Sequence, residues 1–220
     1  MKPRVKICCI GSVEEAQIAI RYGASALGLV SAMPSGPGPI SEELIAEIAR
    51  TIPPGVASFL LTSKQDAPTI IAQQRFCRTS TIQLVDAIAR STYKQLRSEL
   101  HGIGLVQVIH VSGEKSIHEA VAVSEYVDAI LLDSGNQTLA VKELGGTGRT
   151  HDWTISKRIV EAVNVPVFLA GGLKPENVAD AIRLVQPFGV DLCSGVRTKG
   201  TLDERKLAAF FEQVNAVQQP

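Results

Sequence analysis

Three glycine-rich clusters in the second half of the chain suit a bound anion: Gly145-Gly146-Thr147-Gly148, Ala170-Gly171-Gly172-Leu173 and Ser194-Gly195-Val196. Glycines let backbone N–H groups approach an anion closely, and a helix N-terminus behind them adds a favourable dipole. One cluster alone reads as ordinary turn glycines; three together predict a phosphate site. A second constellation is a thiol and a carboxyl. Cys8 lies near the end of the apolar run that starts at Val5, and Asp133 follows Ile130-Leu131-Leu132. Facing each other across one site, the two would serve as general base and general acid. A small buried thiol and a turn-capping carboxylate account for the same positions equally well. Lys6 and Asp191 each lie inside an apolar run, where a lone charge is costly, so a buried structural ion pair is expected. The vicinal Cys8-Cys9 pair lacks the CxxC or His-rich spacing of a metal site, and neither metal nor redox chemistry is expected of it. His101, His110, His118 and His151 show no nucleophilic or metal-ligating pattern, although His110 and His151 could reach a site at the ends of strands.

What must position these residues is a regular alternation of elements. Eight apolar, β-branched runs begin at Val5, Ala26, Val56, Thr81, Gly104, Val127, Val165 and Val190. Between them lie stretches of helical period at Val13–Tyr22, Glu42–Arg50, Ser116–Ser124, Trp153–Val163, Pro175–Val185 and Asp203–Val217. Ala67–Arg75 and Ser91–Leu100 are weaker helical candidates. Pro175, after a Gly-Gly turn, reads as a first-turn proline. Alternating strands and helices predict a parallel sheet. Eight such pairs in 220 residues predict an α/β fold of one domain spanning 1–220, a closed (β/α)8 TIM barrel. In that architecture the chemistry sits at the C-terminal ends of the strands. Strand alternation puts Lys6 and Cys8 on one face and Ile7 and Cys9 on the other. The Gly/Pro-rich stretch Met33–Pro39 follows the second strand, where a long functional loop is expected.

Composition narrows the partners. A formal net charge of +0 leaves no electrostatic footprint for nucleic acid or an anionic membrane, and 45% hydrophobic residues can supply a sizeable core. No apolar run reaches the roughly 18 residues that span a bilayer. The 4 cysteines lack the density of a disulfide scaffold. The expectation is a cytoplasmic protein, monomer or homodimer, whose partner is a small phosphorylated molecule.

On these motifs the chain resembles the phosphoribosylanthranilate isomerase family. The resemblance is carried by Lys6-Ile7-Cys8, the GA-x-ALGLV run at Gly23–Val30 and LLDS at Leu131–Ser134. It continues through GGTGRTHDW at Gly145–Trp153, LAGGLKPENV at Leu169–Val178 and GVDLCSGV at Gly189–Val196, in order over nearly the full chain. It implies an Amadori rearrangement in tryptophan biosynthesis, an aldose–ketose isomerisation of N-(5-phosphoribosyl)anthranilate with neither cofactor nor metal. By the same resemblance Cys8 is the general base and Asp133 the general acid. The substrate phosphate falls on Gly146, Gly148, Gly171, Gly172, Ser194 and Gly195. A thiolate base near neutral pH calls for a thiol pKa lowered by its surroundings.

Four positions depart from the family pattern. Cys9 stands where the family has glycine, Gly38 where an arginine engages the anthranilate carboxylate, Val85 where a histidine serves the site, and Arg197 where a glutamate follows the phosphate loop. Loss of a charge-assisted contact to the carboxylate costs roughly 1.5–3 kcal/mol of binding; Arg149 or Arg197 is a candidate replacement. An isomerase of another phosphosugar, or a phosphate-binding barrel without catalysis, stays open on these departures.

Overall fold

The computed structural model describes residues 2–135, 144 and 148–217. The first strands, β1 (Arg4–Ile7), β2 (Ala26–Val30), β3 (Ala57–Thr62) and β4 (Thr81–Leu84), pair side by side in chain order. They continue into β5 (Gly104–His110), β6 (Ala129–Asp133), β7 (Val167–Leu169) and β8 (Gly189–Leu192). β8 pairs in parallel with β1, Lys6 opposite Asp191, and closes the (β/α)8 TIM barrel that the sequence pattern predicts. The helices are α1 (Val13–Tyr22), α2 (Glu42–Thr51), α3 (Ala67–Cys77) and α4 (Arg90–Glu99), then α5 (Lys115–Ser124), α6 (Trp153–Ala162), α7 (Val178–Val185) and α8 (Glu204–Ala216).

Strand alternation divides the apolar residues into two cores. Ile7, Leu27, Leu60, Ile82, Ile130 and Leu169 face outward and pack under the helices. Cys8, Val30, Phe59, Val108, Leu131 and Phe168 fill the barrel interior. The helices supply the matching stripe: α7 buries Val178, Ala181, Ile182 and Val185, the i, i+3, i+4, i+7 pattern of one helical face. Helix ends are set locally. The Ser12 hydroxyl accepts the Glu15 N–H at 3.2 Å to start α1, and Gly23, at φ 106, ends it in the left-handed conformation.

Most boundaries fall within one or two residues of the sequence expectation, and two bear on the site. The helix expected from Pro175 begins only at Val178. The Asn177 side chain accepts the Lys174 N–H at 2.9 Å and donates to the Gly172 carbonyl at 3.0 Å, so 174–177 form a turn that competes with helix. β1 stops at Ile7, yet the Cys8 N–H still donates to the Leu192 carbonyl at 2.8 Å, which keeps Cys8 in phase with the interior. At Cys9, φ turns to 61 and the alternation ends.

Candidate active site

β1 carries Lys6 and Cys8 up the inside of the barrel, and β6 carries Asp133 to the same C-terminal mouth, where Cys8 and Asp133 both line one cavity. The neighbouring strand makes room for the first pair. A Cβ on Gly28 of β2 would sit 2.6 Å from Cys8 Sγ and 3.0 Å from Lys6 Nζ, so only glycine there admits both groups. Lys6 Nζ donates to Asp191 at 2.9 Å with its side chain fully buried, as the isolated charges in the sequence require. Burial opposes the Lys6 charge, but Asp191 and then Cys8 outweigh it and raise the ammonium pKa above its ordinary value. Burial acts more strongly on Cys8 and pushes the thiol up to about 11, against the pull of Lys6 and with a further push from Asp191. The lowered thiol pKa expected from the family resemblance is therefore not found in this site. A cation lies beside the sulfur, but desolvation wins. Asp133 meets its neighbour as well as the mouth: the Ser134 N–H donates to its Oδ1 at 2.7 Å.

The glycine clusters converge where they are described. Gly148, Gly172, Ser194 and Gly195 line one cleft of about 390 Å³, together with Lys174 and Lys206. Gly148, Gly172 and Ser194 also line the mouth, as does Gly171, so cleft and mouth are continuous. Gly195 lies in a tight turn, Ser194–Val196, where any Cβ would collide with the Leu173 carbonyl. Gly146 lies outside the described residues.

The departures from the family pattern acquire physical reasons. Gly38 has φ 82, and a Cβ on it would lie 2.6 Å from the Cβ of Cys9. Cys9 thus occupies the space that a side chain at 38 would need. Val85 is buried in the mouth lining. Arg197, one of the two candidate replacements, pairs with Glu15 at 2.8 Å and donates to the Cys9 carbonyl at 2.6 Å. Glu15 also accepts the Gly11 and Leu202 N–H groups at 3.0 Å each. Arg149 borders a neighbouring cleft with Ser134 and His151.

His110 takes a supporting place, its Nε2 3.0 Å from the Val85 carbonyl; because a carbonyl only accepts, that nitrogen carries the proton. His151 Nε2 lies 2.7 Å from Ser156 Oγ, and burial depresses its pKa to about 4 despite Asp152 nearby. Three features escaped the sequence reading. Gln83, a polar residue in the apolar β4, lines the mouth, and its buried Oε1 has no partner among the described residues. Lys6 acts on Cys8 as well as on Asp191. Cys9 and Cys193, for which no redox role was expected, form a disulfide, Cα atoms 5.8 Å apart. Their 184-residue separation hides the pair until the barrel closes β8 on β1.

Comparisons with known proteins place the chain in a family. The family model described as N-(5'phosphoribosyl)anthranilate (PRA) isomerase matches residues 5–213. N-(5'-phosphoribosyl)anthranilate isomerase 2 of Methanosarcina mazei is 38% identical over 212 residues, 96% of this chain and 93% of that protein. The isomerase of Methanocella arvoryzae is 35% identical, covering 96% and 97% of the two chains. Among solved structures, phosphoribosyl anthranilate isomerase from Thermotoga maritima superposes with a TM-score of 0.81 at 29% identity, covering 98% of this chain and 100% of the other. A phosphoribosyl anthranilate isomerase in complex with reduced 1-(o-carboxyphenylamino)-1-deoxyribulose 5-phosphate gives 0.78 at 27%, covering 98% and 100%. Matched over almost its whole length, this chain belongs to the N-(5'-phosphoribosyl)anthranilate isomerase family.

Proposed function

We propose that Cys8 and Asp133 carry out the isomerisation of N-(5'-phosphoribosyl)anthranilate to 1-(o-carboxyphenylamino)-1-deoxyribulose 5-phosphate in this mouth. The observation that carries the reading is the joint placement of a thiol and a carboxyl beside a glycine-lined cleft. The cleft takes the substrate phosphate on the amides around Gly148, Gly172, Ser194 and Gly195, with Lys174 and Lys206 supplying positive charge at its rim. Anchored there, the ribose reaches back over the barrel axis. Asp133 protonates the ring oxygen, and the ring opens to a Schiff base. Cys8 then removes the C2 proton, and the resulting enolamine tautomerises to the ketone.

Each residue near the reacting carbon has a part. The Cys8 proton must leave before C2 is attacked, and the buried Lys6 ammonium stabilises the thiolate once formed. Asp191 holds that ammonium in place. Gln83 Oε1 offers an acceptor for a ribose hydroxyl. The retained acid–base pair and the family match favour this reaction over a different phosphosugar or a non-catalytic barrel. The reading extends to a cytoplasmic enzyme that works as a monomer or homodimer, since one chain supplies every site residue named here.

Genetic complementation tests it. The wild-type gene is expected to restore growth without tryptophan to an auxotroph lacking the isomerase, while Cys8→Ala and Asp133→Asn, expressed to equal levels, do not. Failure of the wild type, or equal rescue by both variants, contradicts the assignment.

A further inference from the structure

The disulfide between Cys9 and Cys193 sits where three working parts of the mouth meet. Both cysteines line the cavity. Cys9 directly follows Cys8, and Cys193 directly precedes Ser194 and Gly195 of the phosphate cleft. The third part is the Met33–Pro39 loop: Cys9 Sγ lies 3.6 Å from the Pro37 carbonyl oxygen, and Gly38 packs on the Cys9 Cβ. The barrel seam itself does not depend on this bridge. β1 and β8 already pair from Arg4 to Ile7, and the Cys8 N–H extends the ladder to Leu192. The disulfide lies one step beyond the last of those hydrogen bonds, so what it constrains is the pair of loops. Cys9 holds a φ of 61, a conformation rare for residues other than glycine, with its side chain bonded to Cys193 and its carbonyl bonded to Arg197.

We propose that the Cys9–Cys193 disulfide is a thiol-responsive clamp, holding the phosphate-binding turn against the general-base strand when oxidised and releasing it when reduced. The inference rests on the base and phosphate assignments above. The chemistry is thiol–disulfide exchange with a dithiol reductant. One reductant thiolate attacks a cysteine sulfur, forming a mixed disulfide and expelling the other cysteine as a thiolate. The reductant's second thiolate displaces the remaining cysteine and leaves as a cyclic disulfide. Two electrons pass to the protein, and both cysteines take up protons from water. The new Cys9 thiol finds an acceptor already nearby in the Pro37 carbonyl. Disulfides that persist in reducing compartments are characteristically transient or redox-sensing, which suits a switch at a mouth better than a staple in the core.

The test measures free thiols, the dissociation constant for inorganic phosphate, and kcat and KM for phosphoribosylanthranilate, before and after dithiothreitol. Air-oxidised, denatured protein is expected to show 2 reactive thiols, Cys8 and Cys77, and reduced protein all 4. Reduction is expected to weaken phosphate binding and raise KM by at least about threefold through lost preorganisation, with kcat within about twofold. Cys9→Ser/Cys193→Ser should match the reduced wild type and no longer respond to dithiothreitol. If far-UV circular dichroism shows that the double variant does not fold, Cys193→Ser alone is read in the same way. Four thiols before reduction, an unchanged phosphate constant, or a response that survives in the serine variant overturns the clamp. Absent turnover with a redox-shifted phosphate constant would leave the clamp standing and remove the catalytic reading; robust turnover with unmoved constants would do the reverse.

Discussion

Cys8 keeps its proton until about pH 11 because its sulfur is enclosed and the Lys6 ammonium offsets only part of that desolvation. At pH 7 a thiol of that pKa is ionised in about one molecule in 10⁴. The sign of the shift gives a direct expectation for reactivity. A raised thiol pKa leaves the neutral form dominant through the ordinary thiol range, so thiolate accumulates only as pH climbs toward 11. In a Cys77→Ala background with the disulfide intact, alkylation of Cys8 by iodoacetamide should rise about tenfold per pH unit from 7 to 10, since the thiolate is the nucleophile. A rate that levels off below pH 8 would show a thiol pKa lowered by Lys6, contrary to this structure. The placement of Cys8 and Asp133 at strand ends was legible in the sequence, because strand ends are where a barrel displays its chemistry. Position alone left their roles open, and only the family resemblance named them as base and acid. The protonation state was not legible, because it depends on how completely β2, with Gly28 opened for the purpose, closes around the sulfur.

The elements flanking β1 explain why Arg197 stands just after the Ser194–Val196 turn yet is bonded elsewhere. The strands β9 (Arg197–Thr198) and β10 (Thr201–Leu202) form a small antiparallel ribbon after the Ser194–Val196 turn. Glu15 of α1 ties that ribbon to the loop leaving β1, accepting from Arg197, Gly11 and Leu202. The pair is mostly enclosed, with side chains 9% and 15% exposed, so loss of one partner strands the other. Arg197→Glu sets two carboxylates together and is expected to destabilise the fold by about 2 kcal/mol or more, less than a fully buried pair because some solvent reaches it. The swap Glu15→Arg/Arg197→Glu should recover part of that loss. Urea denaturation of the three proteins checks this; an Arg197→Glu midpoint equal to wild type would mean that the pair holds nothing. Sequence reasoning located the helices well wherever an apolar stripe was clear, as in α7, but began that helix at Pro175. The turn that delays it depends on Asn177 bonding back to Gly172 and Lys174, a local competition that periodicity does not reveal.

At the scale of the whole molecule, eight strand–helix units are readable from alternating patterns alone, and closure of the barrel follows from their number and the length of the chain. Closure then creates the contacts that no linear reading supplies. It brings Lys6 to Asp191 and Cys9 to Cys193, and it sets Gly148, Gly172 and Gly195, from three separate loops, around one cleft. Lys6 and Asp191 were inferable as partners because each would otherwise be a lone buried charge. Cys9 and Cys193 carried no such signal, since an apolar cysteine is satisfied without a partner. The same closure brings Asp133 and Cys8 to the lining of one mouth, and the central claim is that this pair isomerises phosphoribosylanthranilate. Its most direct test is the steady-state turnover of purified wild type and Cys8→Ala on that substrate, with substrate and product resolved by chromatography. The account predicts turnover by the wild type and a fall in kcat of about 10²- to 10⁴-fold in the variant. A folded wild type that leaves the substrate unchanged, or a Cys8→Ala protein that turns it over at the wild-type rate, would contradict it.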